Sequence, residues 1–114
     1  MTIRNAIARA DALRENSISE EQKAEWLHAL DCEIAEMMGV DAPENTWPHD
    51  RDLLLTEKQF ENVYVLYLCT MISYHFGETS QYENDSALFN AAYAKTRAWW
   101  IRKHRPTSRG NWRL

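Results

Sequence analysis

The side chains with the means to do chemistry are four histidines, 17 carboxylates, two cysteines and 13 cations, and their spacing says what each is for. His28, His49, His75 and His104 fall in no HExxH or other paired metal-ligand spacing. His49-Asp50-Arg51-Asp52 is the densest polar cluster; one histidine and two aspartates in a proline-bounded loop read as a solvated turn rather than a divalent-cation site. There is no GxxxxGK[ST] or GxGxxG loop to cradle phosphate, and no serine on a GxSxG elbow. Glu20, Glu21, Glu25, Asp31, Glu33 and Glu36 crowd one helix and are read as its solvated side, able to pair with a basic neighbour across a subunit interface. Cys32 and Cys69 lack CxxC spacing and are expected to be reduced, buried thiols. No catalytic residue, cofactor or metal is expected, and the chain is read as a non-enzyme.

The cations carry the one strong asymmetry. Lys95, Arg97, Arg102, Lys103, Arg105, Arg109 and Arg113 give the last twenty residues seven positive charges and no acidic residue, whereas residues 1–94 hold the other six basic and all 17 acidic residues, a net of −11. Trp99, Trp100 and Trp112, three of the five tryptophans, lie in the same basic stretch. Trp and Arg are the residue types enriched where binding energy concentrates, and a basic segment that orders on binding can thread into a partner's groove. This reads as a docking element. Nucleic-acid binding through phosphate contacts and base stacking is the alternative, opposed by the acidic whole, with a pI near 5.5, and by the lack of a helix-turn-helix pair.

Those groups must be positioned by helices. At 114 residues the chain is one domain, and three Gly and three Pro sit at breaks. Apolar spacing of three and four predicts a first helix over 2–14 through Ile3, Ala6, Ile7, Ala10 and Leu13. Ser19 to Gln22 forms a capping box opening a second helix, with Leu27, Leu30, Ile34 and Met37 or Met38 on its stripe, Trp26 beside it, and Gly39 as a left-handed cap. Residues 39–55 form an irregular connector, with Leu53 to Leu55 as short extended pieces or packed anchors and Trp47 as a loop anchor folded onto the core, a contact to a neighbouring subunit being its alternative. A second capping box, Thr56 with Gln59, is expected to start a third helix that is apolar on several faces and therefore central. The fourth, read as the best amphipathic element, carries Leu88, Phe89, Ala92, Tyr93, Thr96, Trp99 and Trp100. Tyr82-Glu83-Asn84-Asp85 is read as the turn before it, Asn84 or Asp85 capping its start, and Pro106 stops it. The expected fold is all-α: a small bundle of about four helices with a long antiparallel third/fourth pair, a helical domain over 1–105 and a flexible basic tail over 106–114. The longest apolar run, 63–76, is about 14 residues, short of the ~20 a membrane helix needs, and no leader or lipidation signal is read at either end.

The pattern Y-x-x-Y-L … Y-x-x-G-E … Y-x-N-x-x-x-L-F-N-x-A-Y, carried by Tyr64, Tyr67, Leu68, Tyr74, Gly77, Glu78, Tyr82, Asn84, Leu88, Phe89, Asn90, Ala92 and Tyr93, resembles a family of small phage and prophage head–tail connector (adaptor) proteins. "TIRNAIARADALREN" and "SEEQKAEWLHALDCEI" extend the likeness over nearly the whole chain except the 39–55 connector and the last ten residues. The resemblance marks Tyr64, Tyr67, Tyr82, Asn84, Phe89, Asn90 and Tyr93 as fold-specifying. It implies a helical subunit of a ring in the virion neck, assembled in the bacterial host cytoplasm, between the portal protein and the next neck or tail protein. DNA would pass through the channel without specific binding. The family's C-terminal segment is implied to dock on the portal, which suits Arg102, Lys103, Arg105, Arg109, Trp112 and Arg113.

Overall fold

The computed structural model describes residues 1–45 and 50–104. Its elements run α1 Ile3–Leu13, α2 Glu20–Met38, a 3₁₀ turn Lys58–Phe60, α3 Asn62–His75 and α4 Thr79–Lys103. This is the small all-α bundle expected, with no strand among the described residues. Trp47, His49 and the 105/106 domain boundary lie outside the described residues.

α1 opens on a reciprocal cap: the Asn5 backbone N–H donates to the Thr2 hydroxyl oxygen at 3.1 Å and the Thr2 N–H to the Asn5 side chain at 3.4 Å. Ile3, Ala6, Ile7 and Ala10 are buried as their spacing requires. Leu13, expected on the same stripe, is instead 59% exposed. The chain leaves the helix there: Arg14 turns extended and sends its guanidinium to Asp85. Asn16 organises the reversal, donating to Asp11 and to the Arg14 carbonyl while accepting from the Ile18 N–H.

Ser19 caps α2 by accepting from the Gln22 N–H at 3.1 Å, but Gln22 does not reach back, so only half of the expected box forms. Gly39 is the left-handed cap, at φ 73°, and the Val40 N–H then donates to the Ala35 carbonyl at 3.0 Å. Leu27, Leu30 and Ile34 face inward, with Ala24 and Ala35 allowing close approach.

The connector is tied to the N-terminus by an isolated antiparallel bridge, Thr2 to Asp52. Ile3 N–H donates to the Arg51 carbonyl and Leu53 N–H to the Met1 carbonyl, at 3.2 and 2.9 Å. Leu53 and Leu55 are buried anchors, as expected. The Thr56–Gln59 box is not there. A 3₁₀ turn occupies that stretch, drives Phe60 into the core and delays α3 to Asn62. α3 is central: Val63, Tyr64, Val65, Leu68, Cys69, Thr70, Ile72 and Ser73 are buried right round its axis, and it packs on all three other helices.

Gly77, at φ 68°, reverses the chain within Phe76–Glu78, and the Glu78 N–H closes the turn on the Ser73 carbonyl at 3.0 Å. α4 therefore starts at Thr79, before Asn84 and Asp85. Tyr82-Glu83-Asn84-Asp85 is helical, not a turn, and Asn84 caps nothing. α4 runs back antiparallel along α3, its principal neighbour. Its 25 residues give about 37 Å at ~1.5 Å per residue. Among them only Asp85 and Thr96 are fully buried; Phe89, Ala92, Tyr93 and Trp99 are half-buried against the core and Leu88 is exposed. α4 buries less of its apolar stripe than its spacing predicts because, among the described residues, α3 is the only helix it packs on extensively.

Candidate docking surface

Two buried ionic centres hold the helices that present the surface. In one, Asp31 on α2 is fully buried and accepts from Tyr64 Oη at 2.7 Å, Arg51 Nη1 at 2.8 Å and the Leu54 N–H at 3.3 Å. The Tyr64 oxygen accepts from the Leu55 N–H at 2.9 Å. One carboxylate thus joins α2, α3 and the connector. Asp31 was expected on the solvated acidic side; Glu25, Glu33 and Glu36 of the same helix are exposed, but Asp31 lies beside buried Leu30 and its own position on the helix faces α3. Burial, then the Asp31 charge, pushes the Tyr64 phenol far up.

In the other centre, Asp85 on α4 accepts from Arg14 Nη2 at 2.7 Å, Arg14 Nε at 3.2 Å and the Ser73 hydroxyl at 2.9 Å. It ties α4 to the end of α1 and to α3. The hydrogen bond to Asp85 raises the Arg14 guanidinium further. Of the aromatic residues of the resemblance pattern, Tyr64 belongs to the Asp31 centre and the others line the α3–α4 seam: Tyr67 meets Phe89 at 5.2 Å, Phe89 stacks on Tyr93 at 5.8 Å and Tyr74 meets Tyr82 at 5.5 Å between ring centroids. Burial, followed by the nearby Glu33 charge, pushes the Tyr67 and Tyr93 phenols up. Asn84 and Asn90 are exposed.

At the far end of α4 the basic, aromatic surface begins. Trp99 leans on buried Phe60, with ring centroids 4.9 Å apart. Lys103 Nζ lies 5.8 Å from the Trp99 ring centroid, within cation–π reach. Trp100 stacks on His104 at 3.5 Å between centroids, and His104 Nδ1 lies 3.0 Å from the Trp100 carbonyl oxygen. Gln59, Phe60, Lys95, Ala98, Trp99 and Arg102 line an open groove. Arg102 and Lys103, in the last turn, also suit the negative end of the helix dipole. Arg105, Arg109, Trp112 and Arg113 lie outside the described residues.

Charge pairing divides the chain. Every described cation up to position 51 has a carboxylate partner within 4 Å: Arg4 with Glu20 and Asp50, Arg9 with Glu61, Arg14 with Asp85, Lys23 with Asp11, and Arg51 with Asp31. Lys58, Lys95, Arg97, Arg102 and Lys103 pair with no carboxylate among the described residues. The body thus neutralises its own cations and leaves those of the 3₁₀ turn and α4 unpaired. Neither the Asp31 nor the Asp85 centre was found from the sequence. For Asp31 the one signal was its register, four residues after Leu27 and three before Ile34 on the apolar stripe.

His49-Asp50-Arg51-Asp52 does not gather a metal site among the described residues: Arg51 turns inward to Asp31 and Asp50 pairs with Arg4. Cys32 and Cys69 are free thiols, and burial raises that of Cys69. Among the described residues, no three His, Cys, Asp or Glu side chains converge as metal ligands, and no helix is long and apolar enough to cross a membrane. No family model, curated protein or solved structure matches the chain.

Proposed function

We propose that the protein is a head–tail connector (adaptor) subunit of a tailed bacteriophage or prophage, a structural protein of the virion neck that binds the portal on one side and a neck or tail protein on the other. The observation that carries the reading is the division of charge pairing. Cations paired inside the body are spent on the fold. Cations left unpaired at the end of α4, Arg102 and Lys103, continuing into the basic 105–114 segment, remain for a partner. Such a group favours an acidic groove on another protein, where desolvation strengthens each pairing and the tryptophans supply the apolar contact.

In this account the bundle is a rigid stand. The Asp31 centre fixes α3 against α2 and the connector, the Asp85 centre fixes α4 against α3 and the end of α1, and α4 carries Arg102 and Lys103 to the edge. Residues 105–114 then dock. DNA passes through the ring's channel without specific contact, and neighbouring copies complete the ring.

The test is co-purification of the full chain with the portal protein encoded beside it, followed by negative-stain imaging. Rings at the portal vertex, lost when residues 105–114 are removed while helicity is retained, are the expected result. Undiminished portal binding by the shortened chain, or a full chain that ignores the portal yet is held on DNA in moderate salt, contradicts it. The second outcome favours a small helical nucleic-acid-binding regulator.

A further inference from the structure

The outer half of α4 has two flanks of opposite character. Lys95, Ala98, Trp99 and Arg102 follow i, i+3, i+4, i+7 spacing and line the groove against Gln59 and Phe60. Arg97 and Ile101, one turn apart on another side of the helix, line a second groove with Glu33, Glu36 and Met37 of α2. The first groove has an aromatic floor and a basic rim without a carboxylate. The second has an apolar floor, from Met37 and half-exposed Ile101, and two carboxylates against one cation.

Glu25, Glu33 and Glu36 are exposed on one face of α2. They have no cationic partner among the described residues.

We propose that these two grooves are halves of one interface, the Glu33/Glu36 groove of one copy receiving the Lys95/Trp99 flank of the next. Each copy then offers one half and needs the other. Because the halves are different surfaces, the contact is head-to-tail and can repeat through every copy. It closes into a ring if the rotation between copies divides the circle. Charge complementarity chooses the register and disfavours like-with-like contacts; Met37, Ile101, Trp99 and Phe60 supply apolar area behind the charges. The occupant is a second copy of this chain. The inference deepens the adaptor reading and rests on it for the ring, while the contact itself stands on the two grooves.

Zero-length carbodiimide coupling tests it, because that reagent joins a lysine amine only to a carboxylate in direct contact. Full-length chain labelled with nitrogen-15 is mixed with unlabelled chain at high concentration and low salt, coupled and digested. Mass spectrometry should find heavy–light peptides joining Lys95 to Glu33 or Glu36, about tenfold fewer in strong salt. Lys95→Glu and Glu36→Lys should each weaken self-association at least about tenfold by sedimentation. Mixed together they should recover it, with a reversed link between the lysine placed at 36 and the glutamate placed at 95. Circular dichroism checks that both variants fold.

Absence of heavy–light links, links between other residues only, or failure of the folded variants to complement each other overturns the proposal. So do links that appear only after residues 105–114 are removed, which would show the acidic groove occupied by the chain's own tail. Portal binding is read separately. Copies that link through these flanks but ignore the portal sink the adaptor reading alone; a portal-bound chain without the links sinks the interface alone.

Discussion

Arg14 and Asp85, 71 positions apart in sequence, meet through two hydrogen bonds of 3.2 and 2.7 Å. The pair fastens the outermost helix to the end of the first. Its two members are not equally buried: the Asp85 side chain is 1% exposed and that of Arg14 is 26% exposed. Arg14→Ala therefore strands a buried carboxylate and should cost about 3 kcal/mol in urea unfolding. Asp85→Asn leaves a cation that can reach water and should cost less, about 1–2 kcal/mol. The double change Arg14→Met with Asp85→Leu should recover much of the loss, since an apolar pair can replace a buried ionic one.

Tyr64→Phe removes the hydroxyl that joins Asp31 to the Leu55 N–H. An orphaned N–H and a carboxylate short of one donor should cost about 1–3 kcal/mol. Burial holds the Tyr64 phenol well above its ordinary value of 10.0, so the native state keeps a proton that the unfolded chain releases. That stabilisation is complete below pH ~10 and falls as pH rises through the alkaline range. Tyr67 and Tyr93, also raised, act in the same direction. Stability measured from pH 8 to 11 should decline, and Tyr64→Phe should flatten the decline.

Gly77→Ala meets no steric neighbour within 4 Å, but it places a Cβ on backbone at φ 68°. The strain should cost about 1–2 kcal/mol, read as a lower thermal midpoint. Gly77→Asn should cost less, because asparagine tolerates the left-handed region better.

What the sequence made legible was what three-and-four spacing carries. The buried faces of α1 and α2, the central position of α3 and the left-handed cap at Gly39 all follow from local pattern. The start of α4 did not, because Tyr82, Asn84 and Asp85 have the composition of a turn; what makes that stretch helical is Gly77 reversing the chain earlier and Arg14 neutralising Asp85 from far away. Asp31 was misread for a related reason. It sits among exposed glutamates, and its partners Arg51 and Tyr64 lie 20 and 33 positions along the chain. Thr56 with Gln59 matched a helix start, but packing of Phe60 into the core imposed a 3₁₀ turn there. The basic end was plain from composition. Which of its cations the fold leaves unpaired required the positions of every carboxylate.

Arg102→Glu with Lys103→Glu should leave the fold nearly intact. Both side chains are exposed, and surface changes of this kind stay near ~0.5 kcal/mol each. A small further loss is expected from placing acidic groups at the negative end of the α4 dipole. Unfolding curves of the double variant should lie close to those of the starting chain.

The most direct measurement is the affinity of that same double variant for the portal protein, by calorimetry or surface immobilisation, at two salt concentrations. The account predicts affinity at least about tenfold weaker than for the unsubstituted chain, and a difference that narrows as salt rises. Equal affinity of the two chains, with both folded, would contradict the claim that the unpaired cations at the end of α4 are a docking element for the portal.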